Sequence, residues 1–517
     1  MDTPLAPISR AIQPSCRYPK LAKHSAAVPA PRTIVIVGAG FSGALVAINL
    51  LRLPQEAPLR VVLIDRAPMA RGVAYARRRY PYLLNVPAGR MSASSTQPGE
   101  FLTFARQSLP GARAEDFLRR ELYGQYLESL LANAVLAAPP HVQLVQAHGL
   151  VIAVERAHRP SVIQVHLDDG GKITADTLVL ALGNPPPAPL PGGDALQSSS
   201  RYINDPWAVA PAEFHSGETV LIVGTGLTMA DVALAGSEAA KGKAVVHTLS
   251  RHGLVPPPQT AFRHLYYELD AAPLKQAAAG SMRGLWRAVR SLSDDIELRG
   301  GDWREAIAFV RNLAPALWQQ LPVRERRRFL RHVRCYWDVH RHRLPMATWS
   351  ALNELRRRGN LHVHAGRLLG LQRVGKQIRA TWRARGAGGE TTMLVDRVVN
   401  CTGPHYDVRR TEDRLLRSLI GQGLAAPDPL GLGLVTHEFG ALADASGRVA
   451  GNIYYIGPML KPRQWETTAV QELRTHAEQL ACHLAASSRM HWVSPLVCKS
   501  EKQAQPVGGS IQSTSLT

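Results

Sequence analysis

Two glycine-rich turns carry the clearest chemistry in this sequence. The first, V-G-A-G-F-S-G, ends an apolar run and opens an amphipathic one. Here Gly38 allows a tight turn, Gly40 lets backbone approach a pyrophosphate, and Gly43 permits close packing of helix on strand. Unpaired N–H groups at the helix start suit phosphate oxygens. Asp65 closes the next apolar run, 22 residues beyond Gly43. A carboxylate at that distance takes both hydroxyls of an adenosine ribose. The second turn, V-G-T-G-L-T-M, keeps Gly224 and Gly226 but has Met229 at the third position, so helix and strand pack slightly farther apart. Its following run ends in Ser250-Arg251-His252 with no acid. A guanidinium there suits the 2′-phosphate of NADPH; the alternative for Arg251 is a solvated loop charge. The expected pair is FAD at the first turn and NADPH at the second.

Two such sites in one chain imply a relay, with hydride passing from nicotinamide to flavin and from there to an acceptor. Cys16, Cys335, Cys401, Cys482 and Cys498 form no C-x-x-C or C-x-x-x-x-C, which excludes a redox dithiol acceptor and also fails to make a zinc site. Molecular oxygen, a quinone or a small organic acceptor remains. The stretch R-R-R-F-L-R-H-V-R-C-Y-W-D-V-H-R-H-R over 326–343 is a second candidate. At helical spacing Arg327, Arg331 and Arg334 share a face with Asp338, while Phe329, Leu330, Val333 and Trp337 form an apolar stripe. It reads either as an amphipathic helix whose arginines are solvated or pair with acids, or as a wall holding NADPH phosphate or an acidic substrate. His332, His340 and His342 lack the companions that would complete a metal sphere. His405 and Asp407 could act as acid or base near the flavin, although a loop contact is the simpler expectation. No catalytic triad, P-loop or paired glycosidase carboxylates stand out.

The elements that position these turns are legible as a repeat. The 16 residues from Thr33 and the 16 from Thr219 match at 8 positions, 186 residues apart, each a short buried strand, a glycine turn and a helix start. Further strands are expected at 60–65, 177–182, 244–249, 394–400 and 452–456, and strands alternating with helices indicate an α/β fold. The expectation is two Rossmann-like dinucleotide-binding domains, parallel sheets flanked by helices, with a helical insert in the second. The ranges are a disordered leader over 1–31, an FAD-binding domain over 32–205 and 393–493, and an NAD(P)-binding domain over 206–392. The insert covers about 268–358, and a disordered tail follows over 494–517.

The 517 residues are long enough for several cores. The net charge of +21 comes almost wholly from arginine, since all but ten of the 61 cationic residues are arginine. Arginine grips phosphate and carboxylate, but the excess is spread along the chain and no RRM, zinc-finger or helix-turn-helix signature accompanies it. The expected partners are therefore a small-molecule substrate and molecular oxygen, with no nucleic acid. No long apolar run and no signal peptide are evident, so the reading is a cytoplasmic protein without a membrane partner.

These turns, with L-A-L-G at Leu180 and N-C-T-G at Asn400, resemble the two-dinucleotide-binding-domain flavoproteins, which include flavin-containing monooxygenases and amine N-hydroxylases. R-G-V-A-Y at Arg71, L-L-N-V-P-A-G-R-M-S at Leu83, Y-W-D-V-H-R-H-R at Tyr336, D-P-L-G-L-G at Asp428 and W-E-T-T-A-V at Trp465 resemble, more closely, an FAD/NAD(P)-binding group named for its cofactors. The resemblance implies that Gly38, Gly40, Phe41, Ser42, Gly43 and Asp65 meet FAD, with Asn85 in a loop near the flavin. It puts Gly224, Gly226, Leu227, Thr228 and Arg251 on the nicotinamide nucleotide, and Gly183 and Gly403 at the crossings between domains. Gly457 corresponds to a flavin contact, but Pro458 follows where many members have Asp. The Baeyer–Villiger signature is missing. The implied activity is an FAD-dependent, NADPH-using monooxygenase that hydroxylates a small substrate, an amine nitrogen being one option, through a flavin hydroperoxide. The alternative is a dehydrogenase that passes electrons to a quinone or small acceptor.

Overall fold

A computed structural model describes residues 30–157, 162–208, 214–260 and 269–490. The expected leader, apart from its last two residues, and the whole expected tail lie outside the described residues, as do Cys16 and Cys498. The first sheet has six strands in the order Ala441–Ala443, Val449–Tyr455, Thr177–Leu180, Arg32–Val37, Leu59–Asp65 and Val142–His148. All neighbours in it are parallel except the first pair. The second has seven: Glu390–Val395, Gln377–Ala384, Leu361–Val374, Val245–Ser250, Thr219–Val223, Arg397–Asn400 and Tyr202–Ile203. Its parallel body ends in two antiparallel hairpin partners, Gln377–Ala384 and Glu390–Val395. A three-stranded antiparallel meander, Val151–Arg156, Ile163–Leu167 and Lys172–Ala175, completes the sheets. The architecture is thus the expected α/β one, a first domain split around a second.

The parallel strands are buried on both faces, which is why they read as continuous apolar runs rather than alternating ones. In Arg32–Val37 the last four residues are buried, and in Thr177–Leu180 all four are. The helix Phe41–Arg52 packs against this sheet through Ala44, Leu45, Ile48 and Leu51 among others, and against the final helix Val470–Met490. Each such Leu or Ile side chain removed from water contributes about 1.5–3 kcal/mol.

Two boundaries differ from expectation. The apolar run 394–400 is two strands, broken at Asp396, whose carboxylate accepts the Thr219 N–H at 2.8 Å. Both pieces pair within the second sheet, Arg397–Asn400 directly beside Thr219–Val223. The chain therefore leaves that sheet only after Asn400, and a boundary at 393 would cut a paired strand. The insert is also shorter at its C-terminal end. Met346–Arg357 packs on the second sheet, with Leu352 buried beside Val246 and Leu361, because it is a crossover helix of that domain. What remains of the insert is Ala272–Gly280, Met282–Leu298, Trp303–Gln320 and the 323–341 segment. Its core docks on the first domain, where Trp465 lies 4.8 Å from Trp318 and 4.9 Å from Phe329 between ring centres.

The two glycines at Gly38 and Gly226 make a contrasting pair. Gly38 has φ +98°, and a Cβ there would lie 2.3 Å from the Ala181 carbonyl oxygen, whereas a Cβ on Gly226 meets nothing within 4 Å. Gly38→Ala is expected to lower stability by about 2 kcal/mol in chemical denaturation, and Gly226→Ala to leave it within about 0.5 kcal/mol.

Candidate active site

Strand register places the two turns equivalently. In the first sheet Val37 pairs with Ile64 and Leu180, and Leu180 with Tyr455, so Gly38, Asp65, Ala181 and Ile456 lie side by side at the C-terminal edge. In the second, Val223 pairs with Leu249 and Asn400, which aligns Gly224, Ser250 and Cys401. The hydrogen bonds repeat too. The Gly38 N–H donates to the Ile64 carbonyl and the Gly224 N–H to that of Leu249, each at 2.8 Å, while the Ala181 and Cys401 N–H groups return to Val37 and Val223 at 2.7 Å. Ligands in open parallel sheets bind off this edge. The helices that follow start at N-caps Gly40 and Gly226, and neither start is satisfied by a side-chain cap. Uncapped N–H donors behind a glycine with free space fit a diphosphate.

Each resemblance-based residue has a definite place. Asp65 accepts the Ala39 N–H at 2.7 Å and the Ala67 N–H at 2.9 Å, which fixes the carboxylate while leaving further lone pairs for hydroxyl donors. The Phe41 ring is core, 6.2 Å from both Tyr75 and Tyr123, so only its backbone is free for a ligand. A Cβ on Gly43 would lie 1.9 Å from the Gly38 carbonyl oxygen, which accounts for the third glycine. At the equivalent place in the second turn, Met229 is fully buried. Gly183, Gly403 and Gly457 all have positive φ, and an added Cβ on Gly183 or Gly403 would meet nothing within 4 Å.

A cavity of about 890 Å³ lies between the two domains and the insert. It brings together Asn85, Gly224, Gly226, Leu227, Thr228, Arg251 and Gly403 of the expected set. Gly38, Gly40, Phe41, Ser42, Gly43, Asp65, Gly183 and Gly457 do not line it; they sit along the first sheet edge. The Asn85 loop is tied across the domains, its carbonyl accepting the Gln259 amide at 2.8 Å. The final helix starts at Val470, five residues later than Trp465, and Thr468, Ala469, Val470 and Gln471 face the cavity.

The Arg-rich stretch shows features of both readings. A π turn at Phe329–Val333 interrupts the helical period, so Arg327 and Arg331 stay exposed outside the cavity. Beyond it Arg334, Cys335, Asp338, Val339, Arg341, His342 and Arg343 line the cavity. Arg334 pairs with Asp338 at 3.3 Å, and Arg341 with the buried Glu466 at 3.0 Å. Burial, then the surrounding Arg341, Lys461, Arg311 and Arg334, push His342 down to about 3, so this imidazole is neutral. Among the described residues no cluster could hold a metal ion. Asp407 binds Arg409 at 2.6 Å and is held low by it, a local loop pair rather than an acid or base in the cavity.

Two residues escaped the sequence reading. Arg385 reaches the His252 Nδ1, placing a second guanidinium beside the end of Val245–Ser250; burial first, then Arg385 and Arg251, lower that imidazole. Lys461 lines the cavity with its ammonium 4.4 Å from the Tyr406 ring centre. Burial, then Arg334, lower its pKa to about 8, against the opposing pull of Asp338 and Glu466. Neither was visible in sequence, since Arg385 comes from a distant hairpin and Lys461 from the turn after Gly457.

Residues 35–185 match the family model described as FAD-NAD(P)-binding. The whole fold is similar to the ornithine N-hydroxylase of Kutzneria sp. 744, at 14% identity and a TM-score of 0.57 over 89% of this chain and 100% of that one. A cadaverine monooxygenase of Erwinia amylovora shares 14% identity, with a TM-score of 0.54 over 92% of this chain and 99% of that one. The bacillithiol disulfide reductase of Staphylococcus aureus shares 12%, with a TM-score of 0.53 over 88% and 99%. At these identities the likeness is one of fold. No curated protein sequence matches the chain. Among the described residues no helix is long and apolar enough to cross a membrane.

Lys461 gives a pH test with a defined sign. The native amine titrates at about 8 and the unfolded one at the ordinary 10.5, so the folded state releases its proton first and stability climbs with pH between those values. Lys461→Met should flatten that climb in denaturant midpoints; an unchanged slope contradicts the assignment.

Proposed function

We propose that the protein is an NADPH-dependent FAD monooxygenase acting on a small substrate, an amine nitrogen being one possible target. The observation that carries this reading is the pair of equivalent, uncapped glycine turns on the edges of two sheets, the second opening onto a cavity shared with the insert. When bound, the nicotinamide supplies hydride and the flavin relays it to oxygen. The chain's own residues bind, orient and enclose. The helix start at Gly40 holds the FAD diphosphate and Asp65 its ribose, while Gly224, Gly226, Leu227 and Thr228 hold the nicotinamide nucleotide. Arg251, with Arg385 beside it, receives the 2′-phosphate. Asn85 and the backbone at Thr468–Gln471 border the flavin end. The insert covers the cavity and limits water at the reacting atoms.

The similarity of the hydroxylases supports oxygen insertion, whereas the disulfide reductase shares the same fold. Cysteine chemistry weighs against the reductase reading. Cys401 is buried, which pushes its thiol far above the usual range, and Cys335 and Cys482 are free. A buried neutral thiol is a poor nucleophile, which disfavours a dithiol acceptor. Electron delivery to a quinone or small acceptor without oxygenation is the second reading.

Two measurements test the proposal. With its substrate present, NADPH oxidised should match oxygenated product one for one; release of peroxide with no oxygenated product favours the second reading. Arg251→Ala should raise the KM for NADPH by about tenfold and leave that for NADH nearly unchanged, the cost of about 1.4 kcal/mol for one lost phosphate contact.

A further inference from the structure

Arg343 lines the central cavity, yet its buried Nε and Nη1 have no hydrogen-bond partner. Buried guanidinium nitrogens without a partner are costly even on a half-buried side chain, and a bound anion removes the cost. Arg90 lines the same cavity. The two come together because the Leu344 N–H donates to the Pro257 carbonyl while Gln259 donates to that of Asn85, which joins the 343–344 segment to the 85–90 loop. Arg304 and Arg341 also lie within electrostatic reach of Arg343. Those two already pair with acids, Arg304 with Asp302 at 2.8 Å and Arg341 with Glu466 at 3.0 Å, although the buried Nε of Arg304 has no partner either. The cluster thus holds four guanidinium groups and two carboxylates, with Arg343 and Arg90 left to receive an anion. Neither belongs to a glycine turn or to the Arg251 loop, so the cofactor phosphates have other seats.

A second cavity of about 450 Å³ adjoins the first inside the insert. Its wall is largely apolar, including Leu285, Val310, Leu317, Trp318, Phe329 and Trp337. Ile307 lines both cavities. The Trp303 ring in its wall lies under the Arg304 guanidinium at 4.6 Å and meets His340 at 5.3 Å, which links the apolar chamber to the basic cluster. Asp294 and Glu297 line the chamber too, but both are exposed at its outer side. A chamber of this size with a few convergent polar groups at one end is the usual form of a small-molecule site.

We propose that the cluster and the chamber form the substrate site, and that the substrate is a carboxylate with an apolar body, its carboxylate on Arg343 and Arg90 and its body in the insert. The proposal rests on the monooxygenase reading for the word substrate, but its test does not. Calorimetric titration of the full-length, FAD-loaded protein uses indoleacetate, phenylacetate and octanoate against the amines tryptamine, phenethylamine and octylamine. The carboxylates should bind and the amines should bind at least tenfold more weakly. Arg343→Gln should weaken the carboxylates by at least tenfold more than it weakens NADPH, and Val289→Phe, which narrows the chamber, should weaken them while NADPH binding persists. The inference is overturned if no carboxylate binds, if the amines bind as well through Asp294 and Glu297, or if Arg343→Gln costs NADPH as much as the carboxylates. Carboxylate binding without flavin reduction by NADPH would refute the monooxygenase reading and leave this site standing.

Discussion

The crossing strand behind each glycine turn is the constraint on which the site depends. A Cβ at Gly38 would strike the Ala181 carbonyl oxygen at 2.3 Å, and one at Gly224 would strike that of Cys401 at 2.2 Å. Each turn must be glycine so that the strand, the following helix and the crossing strand converge on one sheet edge. That convergence leaves helix N–H donors unspent and aimed off the edge. Doing this twice in one chain makes two turns with the same local geometry, each of which we propose as a diphosphate seat. In the proposed reading, Asp65 after the first and Arg251 after the second distinguish the two seats.

Holding the two seats in relation is the task of a few polar ties. Arg120, on the helix Arg120–Ala137 of the first domain, pairs with Asp231 of the second at 2.7 Å. The insert is fastened to the first domain by Arg341 on Glu466 and by Arg311 on Glu472, around the aromatic contacts of Trp465. These pairs are partly or wholly withdrawn from water, where losing one partner leaves a charge uncompensated. Part of the arginine excess is thereby explained as structure. Another part, on the cavity wall, has no acid to meet and makes the interior attractive to anions.

The fold was legible where one residue type did one job. Apolar runs buried on both faces marked the parallel strands, and the 186-residue repeat marked both turns. The run 394–400 misled because Asp396 breaks it without changing its apolar look. The hairpin strand Q-I-R-A-T-W-R-A at Gln377–Ala384 shows the period-two alternation of a half-buried strand, a usable signal that the continuous runs overshadowed. In the site, the position of Arg251 after a strand was legible, and that position lies on the cavity wall. Arg385, Lys461 and the unpaired Arg343 could not, because their meaning comes from contacts between segments distant in sequence. The π turn at Phe329–Val333 likewise defeats any reading that assumes an unbroken helical period.

The central claim is that one chain seats FAD along the first sheet edge and NADPH at the neighbouring cavity, and anaerobic titration of the purified, FAD-reconstituted protein tests it most directly. The account predicts a flavin absorbance that bleaches with NADPH and does so more slowly with NADH. A protein that retains no flavin after reconstitution, or a flavin that neither nucleotide reduces, would contradict it.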